Sequence, residues 1–272
     1  MFYDAKNGNI KIDNYYMDYV SFGKGNKALI MIPGLGDGTR TVKGMAIPLA
    51  FTYRQFAKEY KVYIFSRRNE LTDGFSTRDM AQDIVSAMDV LEIKRADILG
   101  ISQGGMIAEC IAIHNPKKVN KLVLCVTAGR ANNMISDVVT NWINLVDKKD
   151  YKNLFIDISE KSYSEDYLKK YRKYYNILWK VANPKDDRRF IIQANSCLLH
   201  NVHDDLDKIK CPTLVIGGKQ DKIVGVAASI EIANQINNSE LYIYEDYGHA
   251  VYEEAKDFNS RVLNYFKENK DV

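Results

Sequence analysis

One pentapeptide carries the strongest chemical signal in this chain. Gly100-Ile101-Ser102-Gln103-Gly104 fits G-x-S-x-G. It directly follows the short apolar run at 96–99 and directly precedes a helical run, Gln103–His114, that ends at Asn115-Pro116. A serine held on a sharp strand-to-helix turn is a nucleophile elbow. The turn strains the serine backbone, and glycines two residues to either side remove side chains that would collide with it. The hydroxyl then projects beyond the sheet at a helix N-terminus. Backbone N–H groups and the positive dipole end can stabilise an oxyanion there. Chance supplies roughly 0.04 such patterns per chain, so a glycine-rich turn without chemistry is the weaker reading.

A serine nucleophile needs a base, and the base needs an orienting acid. Both are offered in the order Ser…acid…His. Asp221 closes Gly217-Gly218-Lys219-Gln220-Asp221, just after the apolar run at 213–216. His249 closes Glu245-Asp246-Tyr247-Gly248-His249, just after the run at 241–244. Both follow the carboxyl ends of expected strands, where α/β sheets place their sites. Asp221 is expected to hold the His249 tautomer, and His249 to take the Ser102 proton. His114, His200 and His203 are weaker bases by position, and Asp204, Asp205 and Asp246 weaker acids. A third segment, Ile32-Pro33-Gly34-Leu35-Gly36-Asp37-Gly38, follows the run at 28–32. Its glycines let backbone pass close to a ligand. The N–H groups of Leu35 and Gln103 are the expected oxyanion hole. Thr39 stands where a dinucleotide loop needs its third glycine.

The elements that must position these groups alternate. Apolar runs at 28–32, 62–65, 96–99, 122–126, 213–216 and 241–244 suit strands buried on both faces of a parallel sheet. Ser76-Thr77-Arg78-Asp79 reads as a capping box that opens a helix with Met80, Ile84, Met88 and Leu91 on one face. Residues 226–236 and 253–266 also read as helices. The segment 10–22 has no room for a helix before 28–32 and reads as antiparallel edge strands. The fold class is therefore α/β: a mostly parallel central sheet with helices on both faces. Residues 130–208 interrupt the alternation and carry helical patterns such as 166–181. They read as a helical insertion over one edge of the sheet, between core segments 1–129 and 209–272.

Composition narrows the partners. Of 272 residues, 46% are hydrophobic and 27% charged, which excludes a mainly disordered chain. Lys and Arg (38) nearly balance Asp and Glu (35), which argues against nucleic acid as a partner. Cys110, Cys125, Cys197 and Cys211 form no CxxC or paired spacing and read as reduced core thiols. There is no metal motif and no P-loop, so neither a metal nor a cofactor is expected. No run reaches the ~18 apolar residues of a membrane span, and the first residues lack a leader's apolar stretch. The expectation is a cytoplasmic protein with a small-molecule acyl substrate, and the sequence carries no signal for oligomeric state.

The motifs PGLGDG (33–38), GISQGG (100–105), GGKQD (217–221) and YGH (247–249) together resemble the α/β-hydrolase superfamily, over the whole chain. The resemblance implies that fold, a Ser102–His249–Asp221 triad, and a helical cap at 130–208. Two positions depart from it. Pro33 stands where many members carry His, and Ser66-Arg67 where many carry Asp. The implied activity is an esterase-like serine hydrolase acting on a small to medium ester or related acyl compound through an acyl-enzyme. An acyltransferase and a carbon–carbon bond hydrolase are alternatives on the same triad. A ligand sensor that turns over once or not at all is the alternative from another class. Tyr167, Tyr171, Tyr174 and Tyr175 read as a packing face, with a substrate-facing role as the sharper alternative. The surplus of Lys and Arg at 166–189 reads as a solvated face. The apolar run at 45–51 reads as an acyl-pocket wall or a mobile flap, with burial of the following helix as the plainer reading.

Overall fold

The computed structural model describes residues 2–268. Eight strands form one sheet: β1 (Lys6–Ile12), β2 (Tyr15–Phe22), β3 (Lys27–Ile32), β4 (Tyr60–Arg68), β5 (Ala96–Ile101), β6 (Val119–Cys125), β7 (Thr213–Gly218) and β8 (Ser239–Tyr244). Their spatial order is β1-β2-β4-β3-β5-β6-β7-β8. β1 pairs antiparallel with β2, and β2 with β4. From β4 to β8 every pairing is parallel. The segment at 10–22 thus does supply antiparallel strands, reaching back to Lys6.

The central strands are apolar on both faces because both faces are covered. On one side pack α2 (Thr77–Val90), α3 (Gln103–His114) and α9 (Val226–Gln235), joined in one cluster with Ile30, Ile98 and Leu122. On the other pack α1 (Ala46–Thr52) and α11 (Phe258–Lys267), around Leu29, Leu99, Val123 and Ile216. α3 is buried nearly all round, which is why it carries so little amphipathic pattern. The capping box at α2 is present: Ser76 Oγ accepts from Asp79 N–H at 3.2 Å, and Asp79 Oδ2 accepts from Ser76 N–H at 2.9 Å.

Between β6 and β7 lie α4 (Asn133–Asp147), α5 (Tyr151–Ser162), α6 (Glu165–Tyr171), α7 (Tyr175–Ala182) and α8 (Asp187–Leu198). The two ends of this stretch meet at the core. Arg130 and Asn201 form a bridge, and Val202 N–H donates to Gly129 O at 2.7 Å. Two expected helices are divided. The one at 166–181 splits into α6 and α7 across a 3-10 turn at Arg172–Tyr174. The one at 253–266 splits into α10 (Val251–Glu254) and α11, because Ala255 is extended. Residues of the five helices between β6 and β7 gather at one end of the sheet. They roof a cavity over the carboxyl ends of β3 and β5, with residues of α4 to α8 facing the loops that follow those strands.

Candidate active site

β5 ends at Ile101, and the next residue begins a helix with almost no intervening chain. Ser102 makes that turn at φ 54°, ψ −122°, in the left-handed region that a side chain rarely occupies. Its carbonyl is pinned by the Thr127 hydroxyl at 2.8 Å, and its N–H donates to Cys125 O at 2.9 Å. Strain of this kind persists only where neighbours over-determine it. The flanking glycines show why no side chain is tolerated. A Cβ on Gly100 would lie 2.5 Å from Gly104 O, and one on Gly104 would lie 2.0 Å from Ile32 O.

The turn aims Ser102 Oγ at His249. Nε2 lies 2.9 Å from Oγ, and Nδ1 lies 2.8 Å from Asp221 Oδ2. The other carboxylate oxygen, Oδ1, accepts from the N–H groups of Ile223 and Val224 at 2.8 and 3.0 Å. Burial works to raise the Asp221 carboxyl, but His249 and those amides outweigh it and hold it below its ordinary value. The acid is thus ionised and oriented, and the imidazole sits between it and the hydroxyl. This hydrogen-bonded chain can deprotonate Ser102.

The loop after β3 completes the surroundings. Gly34 brings it so near that an added Cβ would stand 3.1 Å from Ser102 Cβ. Leu35 opens a 3-10 turn and Gln103 opens α3, so both N–H groups are helix-start donors without a backbone partner among the described residues. Arg67, 2% exposed, ties the two segments together. Its Nη2 donates to Pro33 O at 2.6 Å and to Gln103 Oε1 at 2.9 Å. Burial, with Arg189 nearby and Asp37 opposing, pulls the Arg67 guanidinium down to about 10. Asp37 is held in turn by Arg189 Nη2 at 2.5 Å and Gln193 Nε2 at 3.2 Å, both from α8. The Ser66-Arg67 departure thus fills the space beside the loop with a buried ionic network.

Ser102, Gln103, Leu35 and His249 open on a cavity of about 610 Å³. Its wall is largely apolar: Leu49 of α1, Ile135, Val139 and Trp142 of α4, Leu154 and Phe155 of α5. Tyr167, Tyr171 and Tyr175 line it, whereas Tyr174 points outward and is 44% exposed. The tyrosine pattern therefore marks a cavity wall more than a packing face. The run at 45–51 does both things: Ala46 and Ala50 are buried, and Leu49 faces the cavity.

The rival residues lie elsewhere. His200 is buried 3.0 Å from Glu109 and 2.9 Å from Thr77 Oγ1, and His203 pairs with Glu231. His114 ends α3 away from Ser102. The surplus of Lys and Arg at 166–189 is partly compensated, since Arg172 bridges Glu160 and Glu165 and Arg189 is interior. Among the described residues no group of His, Cys, Asp and Glu could hold a metal, and no helix is long and apolar enough to cross a membrane. Glu253 and Arg40 also line the cavity and were not singled out from sequence. Glu253 had a faint signal, standing four residues beyond His249 in His-Ala-Val-Tyr-Glu.

The chain is similar to known proteins. A 2-hydroxy-6-oxononadienedioate/2-hydroxy-6-oxononatrienedioate hydrolase of Pseudomonas putida is 24% identical, covering 96% of this chain and 94% of its own. A 2-hydroxy-6-oxo-6-phenylhexa-2,4-dienoate hydrolase of Comamonas testosteroni is 23% identical, covering 97% and 96%. The crystal structure of an enol-lactonase from Burkholderia xenovorans superposes with a TM-score of 0.83 at 18% identity, over 96% of this chain and all of that one. The family defined by the alpha/beta hydrolase fold matches residues 27–256. With that match added to the sheet order and the elbow at Ser102, the chain belongs to the α/β-hydrolase family.

Proposed function

We propose that the protein is a carbon–carbon bond hydrolase for 2-hydroxy-6-oxo-dienoates, with Ser102 as nucleophile, His249 as base and then acid, and Asp221 as orienting acid. The observation that carries this reading is the Ser102–His249–Asp221 chain at 2.9 and 2.8 Å, in a chain matched along nearly its full length by hydrolases named for such substrates. It takes precedence over a simple carboxylesterase, which would use the same groups. Arg40, exposed at the cavity and in no ion pair among the described residues, offers a cation for the dienoate carboxylate. The apolar wall suits an acyl tail. Residues 130–208 act as a cap whose helices shape that wall.

The chemistry sets the order of steps. Cleavage next to the 6-oxo carbon expels C5 with the bonding pair. In the dienol form that would leave an unstabilised vinyl anion. The 2-hydroxyl proton must therefore first pass to C5, giving a 2-oxo tautomer. Ser102 Oγ then adds to C6 while His249 takes its proton. The oxyanion is met by the Leu35 and Gln103 N–H groups. Collapse breaks C5–C6, and the pair delocalises through C3=C4 onto the 2-oxo oxygen. The proton on His249 neutralises that dienolate. Water, deprotonated by His249, hydrolyses the acyl-Ser102 ester and releases the acid.

The test compares 2-hydroxy-6-oxo-6-phenylhexa-2,4-dienoate with p-nitrophenyl benzoate, which would give the same benzoyl-enzyme. A higher kcat/KM for the dienoate supports carbon–carbon hydrolysis. Turnover of the ester alone rejects it in favour of an esterase.

A further inference from the structure

The cavity wall contains one carboxylate that the chemistry above does not use. Glu253 lies within the short helix α10, one turn beyond His249. It lines the cavity together with Tyr163 and Tyr252. Tyr163 Oη donates to Glu253 Oε2 at 2.6 Å. Glu253 is exposed by area, yet burial among surrounding protein pushes its carboxyl up, against the hydrogen bonds of Tyr163 and Tyr252 and the nearby His249. Its accessible surface faces the cavity that it lines. No Lys or Arg pairs with it among the described residues. Its neighbour Glu254 is engaged by the N-cap residue of α6, accepting from Ser164 N–H at 3.0 Å and Ser164 Oγ at 2.6 Å. A carboxylate offers about four acceptor sites, so Tyr163 leaves capacity for a ligand.

A carboxylate without a cationic partner in a largely apolar wall is an acceptor that a ligand donor can satisfy. We propose that Glu253 is a specificity-determining residue: with Tyr163 it forms an acceptor pole that binds a hydroxyl or ammonium on the substrate's acyl portion and rejects a carboxylate there. Resting on the carbon–carbon hydrolase reading, this places the dienoate carboxylate away from Glu253. The substrate class becomes mono-carboxylate dienoates whose acyl portion is neutral or carries a donor. Dienedioates, for which several relatives are named, become poor substrates. The physical basis is charge: a second anion ~5 Å away at an effective dielectric of ~20 weakens binding by roughly 250-fold, and solvent at the accessible Glu253 carboxyl screens that to about 10- to 100-fold.

The experiment uses activated p-nitrophenyl alkylphosphonates of matched length, ending in methyl, hydroxyl, ammonium or carboxylate. Phosphorus is fixed at Ser102, and p-nitrophenol release reports the labelling rate without any carbon–carbon cleavage. Wild type should label with the carboxylate probe 10- to 100-fold more slowly than with the hydroxyl probe. Glu253→Gln should bring the two within about threefold, and Glu253→Ala repeats the measurement if the amide variant misfolds. Unchanged discrimination in a folded variant overturns the proposal, as does wild type that labels equally with all four. No labelling by any probe overturns it together with the role of Ser102. Selective labelling without dienoate turnover would leave the acceptor pole standing and reject only the carbon–carbon reading.

Discussion

Asp221→Asn isolates the proposed orienting acid, because the surrounding hydrogen bonds dictate how the amide must sit. The N–H groups of Ile223 and Val224 point at Oδ1 from 2.8 and 3.0 Å. They will hold the carbonyl oxygen of Asn there and turn its NH2 toward His249 Nδ1. A donor at that place demands an unprotonated Nδ1. The imidazole proton then moves to Nε2, which faces Ser102 Oγ at 2.9 Å and can no longer accept. Flipping the amide restores the tautomer but breaks both hydrogen bonds and strands two buried donors, at about 1.5–2.5 kcal/mol apiece. The productive arrangement is therefore disfavoured by about 3–5 kcal/mol, a factor of ~10² to 10⁴ in turnover, in line with the ~10⁴ general to this substitution in serine triads. Steady-state kcat of the variant against wild type is the assay, with circular dichroism confirming the fold. A loss below tenfold would refute the reasoning. Stability gives a second readout. The folded Asp221 value is depressed, so its contribution is present above the ordinary carboxylate value and is lost as pH falls through the folded value. The melting gap between wild type and variant should thus narrow in acid.

Other expectations follow from the same contacts. Gly104→Ala places a Cβ 2.0 Å from Ile32 O and should cost about 3 kcal/mol or more in urea unfolding; an unchanged midpoint would deny that close approach. Arg67→Met removes the bonds to Pro33 O and Gln103 Oε1, ~1–3 kcal/mol each, and also a burial cost of about 3 kcal/mol. Stability should move by less than ~3 kcal/mol while kcat falls about tenfold or more, as both proposed oxyanion donors loosen; full activity would show that the clamp is idle. His200→Leu leaves Glu109 buried without its partner and should cost ~3–5 kcal/mol near neutrality. Burial already raises the Glu109 carboxyl. A raised acid favours folding below its unfolded value and loses that as pH rises through the folded one, so the deficit should shrink in acid. A pH-independent deficit in chemical denaturation would contradict this.

What was readable in the sequence was short-range or periodic. GISQGG announces its turn because glycine is the only residue that fits at 2.0–2.5 Å from neighbouring backbone. Asp221 and His249 could be placed because each directly follows an apolar strand, and parallel strands end on one side of a sheet. Antiparallel edge strands before Lys27 followed from the lack of room for a crossover helix. Long-range contacts were not readable. Arg67 looks like an ordinary basic residue until α8, about 120 positions later, supplies Arg189 and Gln193 around Asp37. Tyr163 and Glu253 meet across 90 residues, and no local pattern couples them. Tyr167, Tyr171 and Tyr175 showed a helical stripe, but a stripe facing a cavity and a stripe facing a core have the same period.

The most direct test of the central claim is benzoate release from 2-hydroxy-6-oxo-6-phenylhexa-2,4-dienoate, measured for wild type and Ser102→Ala side by side. The expected result is benzoate and the five-carbon 2-hydroxydienoate in equal amounts from wild type, with release from a folded Ser102→Ala protein falling by about 10³-fold or more. Release at the wild-type rate by the variant, or none from wild type, would contradict a Ser102-dependent carbon–carbon hydrolase.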